Sequence, residues 1–428
     1  MSSGNWKLVS LSFVAFFVLA GITAMPVVHA ASLVTQVGTH VTPLGVAYDP
    51  RTNQIFVSNY QSGDVQVISD SNNTQVADVT NLPGTPYNMV YDSGKSEMWV
   101  AGSTDAFAIS DATDQIVANV TTHAPESWGT LTQVAYDPKT GEVFASYTDF
   151  TGASTPYIQV ISDSSDTVIA NITHAVVGVV DDSAKGEVFA SQYLDSSGLT
   201  SGNVSVISTK TNTVTGNIPV GGIPGLEAYD SGKGEVFVAN SVYNSSAFNY
   251  YSSVIEVISD GNNKVVATID LPASVSPGPM AYNPNKGEIY INDGASVAII
   301  SDATNRVIGT VSTNGTASSS GGIAFDSGTN AVYAVNGPGS ASGAAVGLAV
   351  ISDPSSGTST TGVTTSTPAG TSASSTTTPT SSSASSSTSA SVSSSSSSSS
   401  LSLGYLAVVG VLAVVVLATV PSTARRAR

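Results

Sequence analysis

Four histidines and no cysteine set the chemistry open to this chain of 428 residues. Without thiols there is no disulfide framework, no thiolate metal site, no cysteine nucleophile and no haem attachment. His29 falls within an N-terminal export signal, so imidazole chemistry rests on His40, His123 and His174. Two or three imidazoles can hold a metal ion, and these are the candidate ligands. No carboxylate stands at a ligand-like spacing from them, which favours chance placement. No HExxH, no G-x-S-x-G elbow and no glycine-rich phosphate loop leading into a helix occurs. No residue is therefore assigned to catalysis, and no cofactor is expected.

Aromatic residues make a clearer pattern. Tyr147, Phe150, Tyr157, Tyr193, Tyr243, Phe248, Tyr250 and Tyr251 fall in three segments, 147–157, 192–203 and 240–253. Trp128 joins them from the stretch before the first segment, together with His123 and Glu126. A ring with a polar tip suits a sugar face or a protein surface, so these nine aromatic residues are the candidate ligand-binding set.

Their positioning follows from a repeat. Residues 44–70, LGVAYDPRTNQIFVSNYQSGDVQVISD, hold three runs rich in β-branched and aromatic residues, separated by turn residues. An aromatic-Asp pair ends the first run and recurs at Tyr91-Asp92, Tyr136-Asp137, Asp181-Asp182, Tyr229-Asp230, Tyr282-Asn283 and Phe325-Asp326. Ile-Ser-Asp, or Ile-Ser-Thr at Ile207, closes the third run seven times. Successive copies are 43 to 53 residues apart, the period of a four-stranded propeller blade. A fourth strand follows in six copies and is missing from the seventh, while a matching strand, Leu33–Val37, precedes the first. A ring leaves no blade edge unpaired only if it closes. The sequence therefore predicts an all-β, seven-bladed β-propeller of four-stranded blades, with the N-terminal strand closing the last blade.

Each blade repeats a basic residue in its first turn (Arg51, Lys95, Lys139, Lys185, Lys233, Lys286), with Asn330 in blade seven. Repetition marks them, and the turn Asp residues, as structural. Function belongs where blades differ. The three aromatic segments are the long loops between second and third strands of blades three to five, on the face that also carries the connections between blades. Binding residues concentrate on loops held by a rigid scaffold.

Ile55-Phe56-Val57-Ser58-Asn59, Val236-Phe237-Val238-Ala239-Asn240 and Val332-Tyr333-Ala334-Val335-Asn336 resemble the YVTN-type β-propeller repeat. The resemblance covers about residues 32–353. It implies a family common on archaeal surface-layer and other exported proteins, some of whose repeats also occur in copper and haem enzymes.

Outside the repeats, residues 1–30 read as a secretory signal, with Lys7, an apolar stretch and a small-residue cleavage site at Val28-His29-Ala30. Residues 31–353 are the propeller ectodomain. Residues 354–400 are Ser, Thr, Ala, Gly and Pro, without charge or aromatic residues, and cannot bury a core; they read as a disordered stalk. Residues 401–421 are long and apolar enough for one transmembrane helix, and 422–428 hold three arginines for a cytoplasmic tail. Residues 31–400 carry all 30 acidic residues and nine of the 13 basic ones, a formal charge of −21. That field repels nucleic acid. Few charges and many hydroxyls would also suit an acidic habitat, where carboxylates discharge near pH 4. Asn-x-Ser/Thr acceptors for glycosylation occur at Asn72, Asn119, Asn171, Asn203, Asn244 and Asn314.

Together these predict a single-pass, stalked cell-surface protein, its head outside. The expected role is non-catalytic: adhesion, recognition or envelope-layer interaction with a glycan or protein partner. The alternative is an extracytoplasmic hydrolase, lactonase-like or metal-dependent, working at the channel mouth.

Overall fold

The computed structural model describes residues 31–353, apart from 104, 122–128, 150–156, 174–176, 194–201, 245–249, 316–320 and 338–346. Seven antiparallel four-stranded sheets form the blades of a propeller. The first strands of successive blades pack on one another around a closed circle, and that of blade seven (Ile323–Asp326) meets that of blade one (Pro43–Asp49). The ring closes as the repeat arithmetic requires. Ser32–Val37 pairs antiparallel with Leu348–Ser352, aligning Leu33 with Ile351 and Val37 with Leu348. The expected transmembrane helix, stalk and signal lie outside the described residues. Among the described residues no helix is long and apolar enough to cross a membrane.

Strand position decides burial. Second and third strands lie between neighbouring blades, so both their faces are covered: Ile55, Phe56, Val57, Ser58 and Asn59 are all fully buried. Fourth strands face outward and alternate, as in Thr167–Thr173 of blade three. Seven apolar clusters fill the seven interfaces, one each. The cluster between blades seven and one joins Val37, Ile55, Val57 and Ile68 to Tyr333, Val335 and Leu348.

One face carries the turns between first and second strands. In every blade the turn Asp or Asn bends the chain by accepting backbone N–H groups two or three residues on. Asp92 takes Gly94 N at 2.7 Å and Lys95 N at 3.0 Å, and Asn283 takes Asn285 N at 2.9 Å. Four residues after it comes a left-handed residue: Asn53, Ser96, Gly141, Gly186, Gly234, Gly287 and Asn330. At Gly141, Gly234 and Gly287 a Cβ would press on the carboxylate of the Ile-Ser-Asp turn, and glycine adopts the left-handed backbone there without strain.

The repeated basic residues then bridge to the next blade. Arg51 pairs with Asp111 through two guanidinium nitrogens, and Lys185 lies 3.0 Å from Asp260. Lys95 and Lys233 donate to the carbonyls of Asp163 and Asp302, at 2.7 and 2.6 Å. Lys286 pairs with the fully buried Asp353, which also takes the Tyr290 hydroxyl. Phenols complete the lattice. Tyr136 and Tyr229 donate to Asp163 and Asp260 of their own blades and also approach Asp92 and Asp182 of the preceding ones. Three seams depart from this pattern. Between blades six and seven, Phe325 stands in the phenol column, and the hydroxyl on Asp353 comes from Tyr290 of the second strand instead. Between blades three and four, Asp181 replaces the phenol and faces Asp137, while Lys139 reaches only the Ala184 carbonyl, at 2.9 Å. Between blades seven and one, Asn330 replaces the cation, Asp70 and Asp326 repel, and Tyr333 donates to Asn73 at 2.8 Å.

Candidate functional site

The opposite, upper face carries the loops between second and third strands and the connections between blades. Tyr60 N donates to Thr42 O at 2.8 Å, strapping one such loop to one such connection. In blades one, two, six and seven these hairpin strands are five or six residues long. In blade five both run to ten, Glu235–Asn244 and Tyr250–Ser259, bringing Tyr243 opposite Tyr251 and Asn244 opposite Tyr250. Tyr193 ends the second strand of blade four, opposite Gly202. The second strands of blades three, four and five thus run to eight, seven and ten residues, longer than in the other four blades.

The nine aromatic candidates divide. Trp128, Phe150 and Phe248 lie outside the described residues. Tyr147 and Tyr157 sit on strands, not in a loop, and stack with centroids 4.9 Å apart and planes 19° apart. Tyr147 is fully buried, so it supports the hairpin and contacts no ligand directly. Tyr157 opens instead on a cleft in the side of the ring, lined with Asn119, Gln159, Asp166, Thr167 and Asn171. Val120 and Val168 also line it, so the cleft is of mixed polar and apolar character.

Four sequons lie at polar, accessible places. Asn72 and Asn314 are exposed, and Asn119 and Asn171 are exposed on outermost strands. Asn203 is half-buried on a third strand; Asn244 stands at the tip of the blade-five hairpin. Asn119 and Asn171 lie two residues from the exposed Val117 and Ile169 and on the same side of their strands, so a glycan there would shield an open edge.

His123 and His174 lie outside the described residues. His40 does not stand alone. Its Nδ1 lies 3.0 Å from Asp64 Oδ1 and 3.9 Å from Asp78 Oδ1, and the three groups offer converging nitrogen and oxygen atoms. The expectation of no carboxylate within ligand reach is corrected here. The ring brings together residues 24 and 38 positions apart from His40, which a search for local spacing cannot see. Asp64 opens the third strand of blade one, Asp78 is the last residue but one of its fourth, and His40 belongs to the connection that leads in from the closing strand. Burial, and then the facing Asp64 charge, raise the Asp78 carboxyl; the imidazole pulls it down.

Glu227 is the other departure. Three residues before the turn Asp or Asn, every other blade has an apolar side chain: Val46, Met89, Val134, Val179, Met280 and Ile323. Glu227 puts a carboxyl in that column. Its stem is partly exposed, yet both oxygens are enclosed without a well-formed hydrogen bond, packed against Gly178 beside Ser191. Burial pushes this carboxyl up to about 8, and Ser191 offsets part of the rise. Comparing the seven first strands column by column is the sequence signal that would have exposed it.

The fold defines a seven-bladed propeller. No family model and no curated protein matches the chain. A solved structure, hydrazine synthase of Kuenenia stuttgartiensis, is similar at 13% identity and a TM-score of 0.57, over 71% of this chain and 95% of that one. At that identity the likeness is one of fold alone.

Proposed function

We propose that the chain is a non-catalytic, membrane-anchored surface protein of the YVTN-repeat kind, whose upper face over blades three to five recognises a cell-surface glycan or protein. One observation supports this reading: the second strands lengthen in three adjacent blades, to eight, seven and ten residues, with Tyr243 in register with Tyr251 in blade five, while blades one, two and six keep strands of five or six residues joined by short turns. Unequal elaboration on a uniform scaffold is how binding loops arise. The signal, the Ser/Thr-rich stalk and the apolar segment 401–421 would hold this face away from the membrane. A glycan array probed with the full chain in detergent tests it. Specific binding that disappears when residues 243–251 are replaced by a two-residue turn supports the reading, and binding indifferent to that change contradicts it.

A second reading, lateral assembly into an envelope layer, is favoured by the rim. Six outermost strands each expose one β-branched apolar residue at the same position: Val34, Val76, Val117, Ile169, Val266 and Ile308. Concentration-dependent oligomers lost on changing Val76 and Val266 to Ser would favour it; a strict monomer would exclude it.

A further inference from the structure

We infer that His40, Asp64 and Asp78 form a binding site for one divalent cation of the Zn²⁺ or Mn²⁺ class, placed to fasten the ring where it closes. Ligand atoms about 2.0–2.1 Å from a tetrahedral ion lie roughly 3.3 Å from one another. The observed separations of 3.0 and 3.9 Å from His40 Nδ1 bracket that value. One imidazole with two carboxylates is a mixed nitrogen and oxygen set, suited to these ions more than to Ca²⁺ or Mg²⁺, which prefer oxygen alone.

A second observation points to a ligand. Asn59 is fully buried, and its amide nitrogen lies 2.8 Å from Asp64 Oδ1 while its amide oxygen has no partner. At the same strand position, Asn292 and Asn336 satisfy theirs with the N–H groups of Gly294 and Gly347, whereas Asn240 also leaves its oxygen unpartnered, so the orphaned oxygen of Asn59 gains its meaning from the His40, Asp64 and Asp78 atoms beside it. Turning the Asn59 amide over exchanges the two atoms without changing its shape and presents the unsatisfied oxygen to an ion beside Asp64.

The set also belongs to blade one alone. Asp78's counterparts in blades two to six are Asn119, Asn171, Asn217, Thr268 and Thr310, all uncharged. The loop bearing His40 is held before any ion arrives, by Gln66 on the Gly38 carbonyl at 3.2 Å and by Ser62 on Val41 N at 3.1 Å. An ion here would tie that loop, which follows the closing strand, to blade one. That is the seam whose lower face has Asn330 in place of a cation.

The test is calorimetric titration of the full chain in detergent with Zn²⁺, Mn²⁺, Ca²⁺ and Mg²⁺, followed by thermal unfolding. One Zn²⁺ or Mn²⁺ per chain is expected, with affinity at least tenfold lower in Asp78→Asn and His40→Gln. The midpoint should rise by about 4 °C at a hundredfold excess over Kd, and not in either variant. Asp78→Asn copies blades two and three, so it should fold. No saturable binding by the unaltered chain would overturn the inference. Binding undiminished by both substitutions would overturn it too, by placing the ion elsewhere, and a preference for Ca²⁺ or Mg²⁺ would overturn the ion class.

Discussion

The two faces of this ring are built by opposite rules. On the lower face the same side chains recur: a turn Asp, a left-handed residue four places later, a Lys or Arg reaching the next blade, and a phenol between two carboxylates. On the upper face neighbouring blades differ in loop length, ring content and charge. Repetition below fastens each blade to the next; variation above is free to serve contacts. Where a lower-face rule is broken, at Asp181, Phe325 or Asn330, the departure stands out because the other four seams obey it.

That contrast can be pressed hardest at Lys286. Its partner Asp353 has no exposure, and the lysine side chain is only 14% exposed, so removing it strands a buried carboxylate beside Tyr290. Lys286→Met should destabilise the ring by about 3 kcal/mol, measured by denaturant unfolding, with the upper-face contacts unaltered in the fraction that folds.

Glu227 should give the next largest effect, with the opposite sign. Glu227→Met restores the apolar column and should stabilise the protein by about 2 kcal/mol at pH 7. At pH 4 the gain should shrink toward zero. The direction follows from linkage: a carboxyl that titrates near 8 folded and near 4.5 unfolded keeps its proton in the folded state through that window. Stability is then fully present below about pH 4 and is lost as pH rises toward 8. Asp181, also pushed up to about 8, by burial and by the facing Asp137, obeys the same sign. Asp181→Tyr, which restores the phenol of the other blades, should add about 1 kcal/mol at pH 8 and nothing at pH 4. Melting curves across that range check both, and a wild-type midpoint that climbs with pH would contradict them. Acid-favoured folding also agrees with the sparse charge of the chain.

The smallest effect on stability belongs to the upper face. Tyr243→Ser together with Tyr251→Ser should change unfolding free energy by less than about 0.5 kcal/mol while abolishing partner binding. A large loss of stability there would mean that the hairpin builds the fold as the lower face does.

Much of the ring was legible in the sequence because its information is local. The turn Asp, the positive-φ position and the Ile-Ser-Asp corner each act over a few residues, and seven copies average out exceptions such as Asp181 or Thr209. Even the closing strand could be inferred from a missing fourth strand. Side-chain meetings across the ring were not legible. Asp64 and Asp78 reach His40 only after the N-terminal strand has crossed to blade seven, and Tyr147 reads like a loop aromatic until the strand it sits on extends to bury it against Tyr157. Glu227 was legible in principle, but only by its column, because one glutamate in a strand carries no local signal.

The division of labour between faces is tested most directly by photo-cross-linking in cells that express the full chain. A photoreactive residue is placed at position 251 on the upper face in one chain, and at position 185 on the lower face in another. Adducts to a glycan or protein from 251 and none from 185 are the expected result. Adducts from 185 with none from 251 would show that the repeated face, not the divergent one, meets the partner.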